Sequence, residues 1–427
     1  MRKRVIVRGP ALSRSGYGEQ TRFALRALRS KEELFEIFLI VTGWGKTGWM
    51  FEIDEEREWM DHLAAKTANY QNQGGQFDIS FQVTIPNEWE RLAPVNIGYT
   101  AGIETTKIAP VWIEKANIMD KIVVVSNHAK YGFDETTYNA RNEATGEIIQ
   151  DFRCVVPTQT VNYPARYIKP VKIELDLETD FNFLTVAQWG VRKNLENTVK
   201  WFVEEFHDQE VGLVVKTNTL NNSVVDRHTT EKRMADLLKS TDTDGRKCKV
   251  YLIHGDMTEE EMTGLYTHSK IKALISLTHG EGFGLPIFEA TQHALPVIAT
   301  DWSGQCDFLY MPQKDKKGKV KNKAMFSKVG YDLAHVQPEA VWDNVLISES
   351  MWAFPKPGKA KIRMREMYKD YDRLKSRAKR LQKWVLKNFA EEKQYEEMYQ
   401  ASIASYVASE DTQGWLDEIE DIVQSYA

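Results

Sequence analysis

Short apolar runs alternate with amphipathic stretches along the chain, and the alternation occurs twice. In the first half, residues 4–8, 78–84, 95–100, 121–126 and 154–162 read as strands. Residues 19–29 read as a helix with Phe23, Ala24, Ala27 and Leu28 on one face. In the second half, strands are expected at residues 181–187, 212–216, 249–253, 273–277 and 296–300. These runs are apolar almost throughout, as strands buried on both faces are. Helices are expected at residues 194–206 and from Thr258 to about His268, where Thr258-Glu259-Glu260-Glu261 spells a capping box. Strand–helix alternation predicts a parallel sheet covered on both faces, and its recurrence predicts two Rossmann-like domains. The polar stretch 167–180, preceded by Pro157 and Pro164, reads as the linker. The expected class is α/β, with domains at residues 1–168 and 169–395 and a helical tail at 396–427. The lysine-rich residues 313–323 read as a surface loop, and the acidic residues 391–427 as helix.

Composition changes little in this picture. A chain of 427 residues with 42% hydrophobic positions can fill two cores. Net charge of −5 argues against a protein that is basic as a whole. Cys154, Cys248 and Cys306 lie far apart with no Cys-x-x-Cys, so free thiols in a reducing, cytoplasmic setting are expected. The apolar run Val5-Ile6-Val7 is broken by Arg8, which is too short for a signal peptide, and no run approaches the roughly 18 apolar residues of a membrane span.

The most informative stretch runs from Ala273 to Gly304. An apolar strand leads into Gly280-Glu281-Gly282-Phe283-Gly284-Leu285, and Pro286 is suited to the first turn of a helix. Ala294-Leu295-Pro296 ends that helix before the next strand. Glu281 in the loop and Glu289 one turn into the helix could hold two parts of one polyhydroxylated ligand, close to a helix start that favours anions. Glu281, seven residues and Glu289, followed by Pro296-Val297-Ile298 and Ser303-Gly304, resembles the donor-sugar motif of retaining two-Rossmann-domain (GT-B) glycosyltransferases, in particular family four. His279 and Ala294 depart from the usual pattern, without removing a chemical group.

Between the first strand and helix of the second half stands Gly190-Val191-Arg192-Lys193-Asn194. Two adjacent cations at a helix start oppose its dipole, a conflict that a bound anion relieves. In the resembled family an Arg and a Lys of this loop hold the donor diphosphate; the Lys maps onto Lys193, with Arg192 beside it. A glycine loop near the N-terminus lies against the diphosphate in that family, which points to Gly16, Tyr17 and Gly18. The segment Tyr99–Thr106 resembles the acceptor side of the cleft. The histidine that many relatives place there is absent, and Glu104 is the nearest polar substitute; His128 follows another strand end.

The resemblance implies a sugar transferase retaining anomeric configuration, with Glu281, Lys193, Arg192 and Glu104 carrying the chemistry. The loop of Gly282, Phe283, Gly284 and Leu285 would hold the sugar hydroxyls through the amides of Phe283–Leu285, together with the Glu281 carboxylate, and Glu289 would accept from the ribose hydroxyls. The donor would be a nucleotide-sugar, most simply a UDP-sugar, with no cofactor and no metal. Asp242-Thr243-Asp244 spells a metal-binding pattern but reads as a turn, and Thr42–Thr47 lacks the first glycine of a P-loop. The last helix would cross back onto the first domain. A glycan or other small or lipid-linked hydroxyl is the expected acceptor; a hydroxylated base in DNA is the alternative, and an epimerase or non-catalytic nucleotide-sugar binder is a further one. Residues 356–387 carry 13 Lys or Arg against three acids. This basic helical stretch reads as a solvated face, with polyanion contact as the alternative.

Overall fold

A computed structural model describes residues 2–141, 146–241 and 244–407. The first half builds strands β1 (Lys3–Gly9), β2 (Phe35–Val41), β3 (Ile79–Val83), β4 (Val95–Thr100) and β5 (Lys121–Val124). A hairpin of β6 (Tyr138–Arg141) and β7 (Ile148–Phe152) precedes β8 (Thr158–Thr160). These form a parallel sheet in the order β2-β1-β3-β4-β5-β8. Helices α1 (Gly16–Arg29), α2 (Glu55–Asn72), α3 (Pro110–Ala116) and α4 (Asn127–Glu135) cover it. Ile122, Val123 and Val124 in β5 are all buried, which accounts for an unbroken apolar run where a one-sided strand would alternate.

The second half builds β9 (Asn182–Val186), β10 (Gly212–Lys216), β11 (Lys249–Ile253), β12 (Ile271–Ser276) and β13 (Val297–Thr300). After a hairpin of β14 (Tyr310–Lys314) and β15 (Val320–Ala324), β16 (Ser327–Val329) completes a second parallel sheet in the order β11-β10-β9-β12-β13-β16. A third hairpin joins β17 (Tyr331–His335) to β18 (Met351–Pro355). Helices α5 (Leu195–Phe206), α6 (Val224–Lys239), α7 (Glu259–Thr267), α8 (Leu285–Gln292) and the short α9 (Cys306–Leu309) belong to this half, followed by α10 (Pro357–Lys369) and α11 (Tyr371–Asn388). The capping box at α7 is formed on both sides. The expected α/β architecture of two parallel, Rossmann-like sheets is therefore present.

The closing helix α12 (Glu391–Ser402) crosses back to the first sheet's side, where Tyr395 packs on Phe23 and Glu396 pairs with Lys31 at 2.8 Å. Residues 408–427 of the expected helical tail lie outside the described residues, as do Asp242 and Thr243. No described helix is long and apolar enough to cross a membrane.

Three local expectations need correction. Residues 313–323 are not a loop: they lie largely in the β14–β15 hairpin, whose exposed lysines carry no apolar alternation to betray it. The strand expected at 154–162 shrinks to Thr158–Thr160. Helix α1 begins at Gly16, three residues early, because Ser15 Oγ caps the Gly18 amide at 3.0 Å. Gly18 is there for space: a Cβ would lie 1.9 Å from the Ser13 carbonyl oxygen.

Candidate active site

In the second sheet the strand order reverses between β9 and β12, and an open α/β sheet forms its ligand crevice at such a point, beyond the carboxyl ends of the strands. The loop after β9 carries Arg192 and Lys193 in a single 3-10 turn, Val191–Lys193. The loop after β12 carries Glu281. Backbone and side chain sew the two loops together. The His279 amide donates to the Arg192 carbonyl at 2.8 Å, and Asn194 Nδ2 donates to the Leu277 carbonyl at 2.9 Å. Asn194 itself sits at φ 52°, a left-handed position that Asn tolerates.

Lys193 Nζ lies 2.7 and 2.8 Å from the two carboxylate oxygens of Glu281. Arg192 Nη1 donates to Glu281 at 3.0 Å and to the Gly280 carbonyl at 2.8 Å, and pairs with Glu104 of the first half at 3.0 Å. Two cations and two carboxylates thus form one compact, neutral cluster. Burial would raise the Glu281 carboxyl, but the charges of Lys193 and Arg192 and their hydrogen bonds outweigh it and hold it at about 2. Burial disfavours the Arg192 charge too, yet Glu104 and Glu281 raise its pKa above the ordinary value. Lys193 moves down, through burial and then repulsion by Arg192.

The glycines let the two halves meet. A Cβ on Gly282 would lie 2.7 Å from the Ala101 carbonyl oxygen, and one on Gly280 would lie 2.7 Å from Glu104 Cβ. Trp302 Nε1 donates to the Glu104 carbonyl at 3.0 Å, and Thr106 exchanges bonds with Met351 at 2.9 and 3.0 Å. Ser303 Oγ accepts from the Glu281 amide at 2.8 Å, which fixes the acid from behind. Gly284, at φ 97°, caps α8, and Pro286 sits in its first turn; Leu285 opens the helix.

Glu289, Phe283 and residues 16–18 have partners outside this cluster. Glu289, on α8, accepts from the Tyr266 hydroxyl at 2.7 Å. Burial raises its pKa to about 7 against that bond, with Glu259 and Glu19 adding repulsion. The Phe283 ring packs among Tyr163, Phe288 and Phe308 in the core, so its amide is the part of the residue left for the sugar role expected of it. Tyr17 is buried, its hydroxyl bonded to Thr100 at 2.7 Å and its ring 4.1 Å from Trp44. Gly16 offers its carbonyl to Tyr163 at 3.2 Å. The Gly18 amide is already taken by Ser15 Oγ at 3.0 Å. His128 stacks edge-on against Trp302, and burial lowers its pKa to about 4, opposed by the Glu104 and Thr105 backbone.

Sequence reasoning missed the residues that brace the site. His279 Nδ1 bonds the Ala353 carbonyl at 2.6 Å and its ring stacks on Trp352, whose Nε1 donates to Gln337 at 2.8 Å. Asp307 accepts from the Asn127 amide at 2.8 Å and from Asn162 at 3.0 Å, tying α9 to the first half. Tyr266 and Asp307 sit in ordinary apolar and polar surroundings, and no spacing distinguishes them.

No family model matches the chain, and no curated protein sequence matches it. Solved structures do, over nearly the whole chain. The sucrose-phosphate synthase of Thermosynechococcus elongatus superposes with a TM-score of 0.61 at 13% identity, covering 95% of this chain and 100% of that one. The chain has the GT-B fold. Two further GT-B structures are similar to it. Anabaena HepE, solved with UDP and glucose, gives a TM-score of 0.57 at 11% identity, covering 96% of this chain and all of its own. A UDP-forming α,α-trehalose-phosphate synthase from Burkholderia xenovorans gives 0.58 at 10% identity, covering 94% and 98%.

Proposed function

We propose that the protein is a glycosyltransferase that moves a sugar from a nucleotide-sugar to an acceptor hydroxyl, with retention of anomeric configuration. The observation that carries this reading is the Arg192–Lys193–Glu281 cluster at the switch point of the second sheet, beneath the Glu281–Glu289 motif. In the transfer, the bond from the anomeric carbon to the diphosphate oxygen breaks with its electron pair on the diphosphate. The acceptor oxygen bonds to the anomeric carbon, and its proton passes to the departing phosphate or to water. The charge that develops is negative, on the diphosphate, and preorganised cations at that point lower the barrier.

Arg192 and Lys193 are the groups for that task. Without a donor, Glu104 and Glu281 neutralise them, so a diphosphate enters by taking over hydrogen bonds now made to carboxylates. Once released, Glu281 can accept from sugar hydroxyls, beside the backbone of Phe283–Leu285. Glu289, as a carboxylate, accepts from the ribose hydroxyls. With two side-chain cations to meet the charge that a divalent ion would otherwise take, the proposed reaction needs no metal. A UDP-sugar is the donor we favour, because HepE has been solved with UDP-glucose and the trehalose-phosphate synthase is described as UDP-forming.

A glycan or other small hydroxyl compound is the first acceptor reading. A hydroxylated base in DNA is the second, favoured by a basic basin on α10 and α11 lined by Arg363, Arg373 and Arg377. Retention is read by proton NMR of the product formed from an α-linked UDP-sugar. An α-linked product is expected; a β-linked product would exclude the retaining assignment.

A further inference from the structure

Helices α10 and α11 and strand β16 border an open basin of about 270 Å³ whose lining includes Ser327, Lys328, Arg363, Glu366, Arg373 and Arg377. Three of its four cations already have acids: Lys328 with Asp301 at 3.1 Å, Arg363 with Glu366 at 2.6 Å, and Arg373 with Asp370 at 3.2 Å. Arg377 has no ion pair within 4 Å among the described residues, and Glu366 is the one acid that acts on it. Its Nη2 donates to Ser327 Oγ at 3.0 Å, while its Nε is buried with no acceptor. Burial and the neighbouring Arg373, Arg363 and Arg380 lower its pKa to about 10, with Glu366 opposing them. A partly buried guanidinium with no carboxylate at ion-pair distance is costly, and an anion in the basin would offset its charge.

The basin is continuous with the β14–β15 hairpin, since Ala324 at the end of β15 also lines it. The hairpin and its turn expose Lys314, Lys316, Lys317, Lys319, Lys321 and Lys323, and residues 311–330 contain seven lysines against one acid, Asp315. On α11, Arg373, Arg377 and Arg380 stand at i, i+4 and i+7 and so share a face. The molecule's net charge is negative, yet this edge of the second domain is strongly positive.

We propose that this basin and the adjoining lysine hairpin form a second binding site, for the phosphodiester backbone of a nucleic acid, with one phosphate seated on Arg377 and its neighbours tracked by the hairpin. A recessed guanidinium beside a projecting cationic ribbon suits phosphates in a row. A bilayer surface would call for apolar side chains beside the lysines, and between residues 314 and 323 the one hydrophobic side chain is Val320. The site is independent of the donor chemistry and is tested without any sugar nucleotide.

Fluorescence anisotropy with labelled single- and double-stranded 20-mers, between about 50 and 200 mM salt, measures it. Four phosphate contacts on a duplex give a log–log salt slope of about −3.6, so affinity should fall about 150-fold over that range. A variant with Lys316, Lys317, Lys319 and Lys321 changed to Gln should lose most of this slope. Arg377→Gln should weaken binding several-fold and flatten the slope by about 1. The hairpin variant alters exposed side chains alone, so it serves even if Arg377→Gln folds poorly. No binding at 50 mM salt, or a slope unchanged in both variants, would overturn the proposal. So would binding to vesicles containing phosphatidylglycerol with none to either oligonucleotide.

Discussion

Replacing Lys193 with Met tests the charge cluster in the absence of any ligand. The substitution keeps the length of the side chain and removes the charge that meets both oxygens of Glu281 at 2.7 and 2.8 Å. The carboxyl is held at about 2 against an ordinary 4.5. That difference corresponds to about 3 kcal/mol of stabilisation by its surroundings. Its sign follows from the depressed value: the stabilisation is fully present above pH 4.5 and is lost as pH falls from 4.5 through 2. Lys193 shares this effect with Arg192, which is 31% exposed, whereas Lys193 is 19% and Glu281 10% exposed. The better-buried, bidentate partner should supply the larger part, so Lys193→Met should cost about 2 kcal/mol at pH 7. For a domain of this size that is a fall of about 4–8 °C in Tm. Differential scanning calorimetry at pH 7 and at pH 3 reads both effects. The wild type should lose stability between these pH values more steeply than the variant. A variant as stable as the wild type at pH 7, with an unchanged acid limb, would refute the reasoning. The same variant should bind UDP more weakly by about 1.5–3 kcal/mol, the worth of a charged hydrogen bond.

Glu289 should make donor binding pH-dependent: with a pKa of about 7 it gains its charge, and a second accepting oxygen for the ribose hydroxyls, as pH rises, so UDP affinity should rise by up to about tenfold from pH 6 to 8 and Glu289→Gln should flatten the profile. Isothermal titration calorimetry at several pH values checks this, and a wild-type affinity that falls with pH would defeat it. Glu104→Gln removes a carboxylate that competes with diphosphate for Arg192 at 3.0 Å, so UDP should bind several-fold tighter while turnover falls; weaker UDP binding would remove the competition argument. Gly282→Ala puts a Cβ 2.7 Å from the Ala101 carbonyl oxygen and should hold the two halves apart. The expected result is a larger radius of gyration by X-ray scattering with both domains still folded, and an unchanged radius would contradict the close-contact reading.

Most strands of the two sheets were legible because they are buried on each face, but β2, an equally apolar run, and the three-residue β16 were not expected. Strands such as Leu213-Val214-Val215 leave an unbroken apolar signature that no exposed segment imitates. The Glu281–Glu289 motif was legible because glycine, proline and acid stand in one fixed order. The antiparallel hairpins were not. The strands of β14–β15 lie on the surface, where lysine serves as well as any residue and a period of two has nothing to bury. Helix α6 escaped notice for the related reason that Val224 and Val225, its leading apolar residues, face solvent. At the site, adjacency of Arg192 and Lys193 was visible in the sequence, but their common partner Glu281 lies some 88 residues away and is brought to them by the strand order alone. Nothing in the local sequence says that Phe283, inside the motif, turns into the core.

The central claim is that a nucleotide-sugar is cleaved at the Arg192–Lys193 cluster by side chains alone. The direct measurement is UDP release from a panel of UDP-sugars, with EDTA present throughout and Lys193→Met run in parallel. The account predicts release from at least one sugar donor, undiminished by EDTA and strongly reduced in the variant. No release from any nucleotide-sugar, or release that EDTA abolishes and manganese restores, would contradict it.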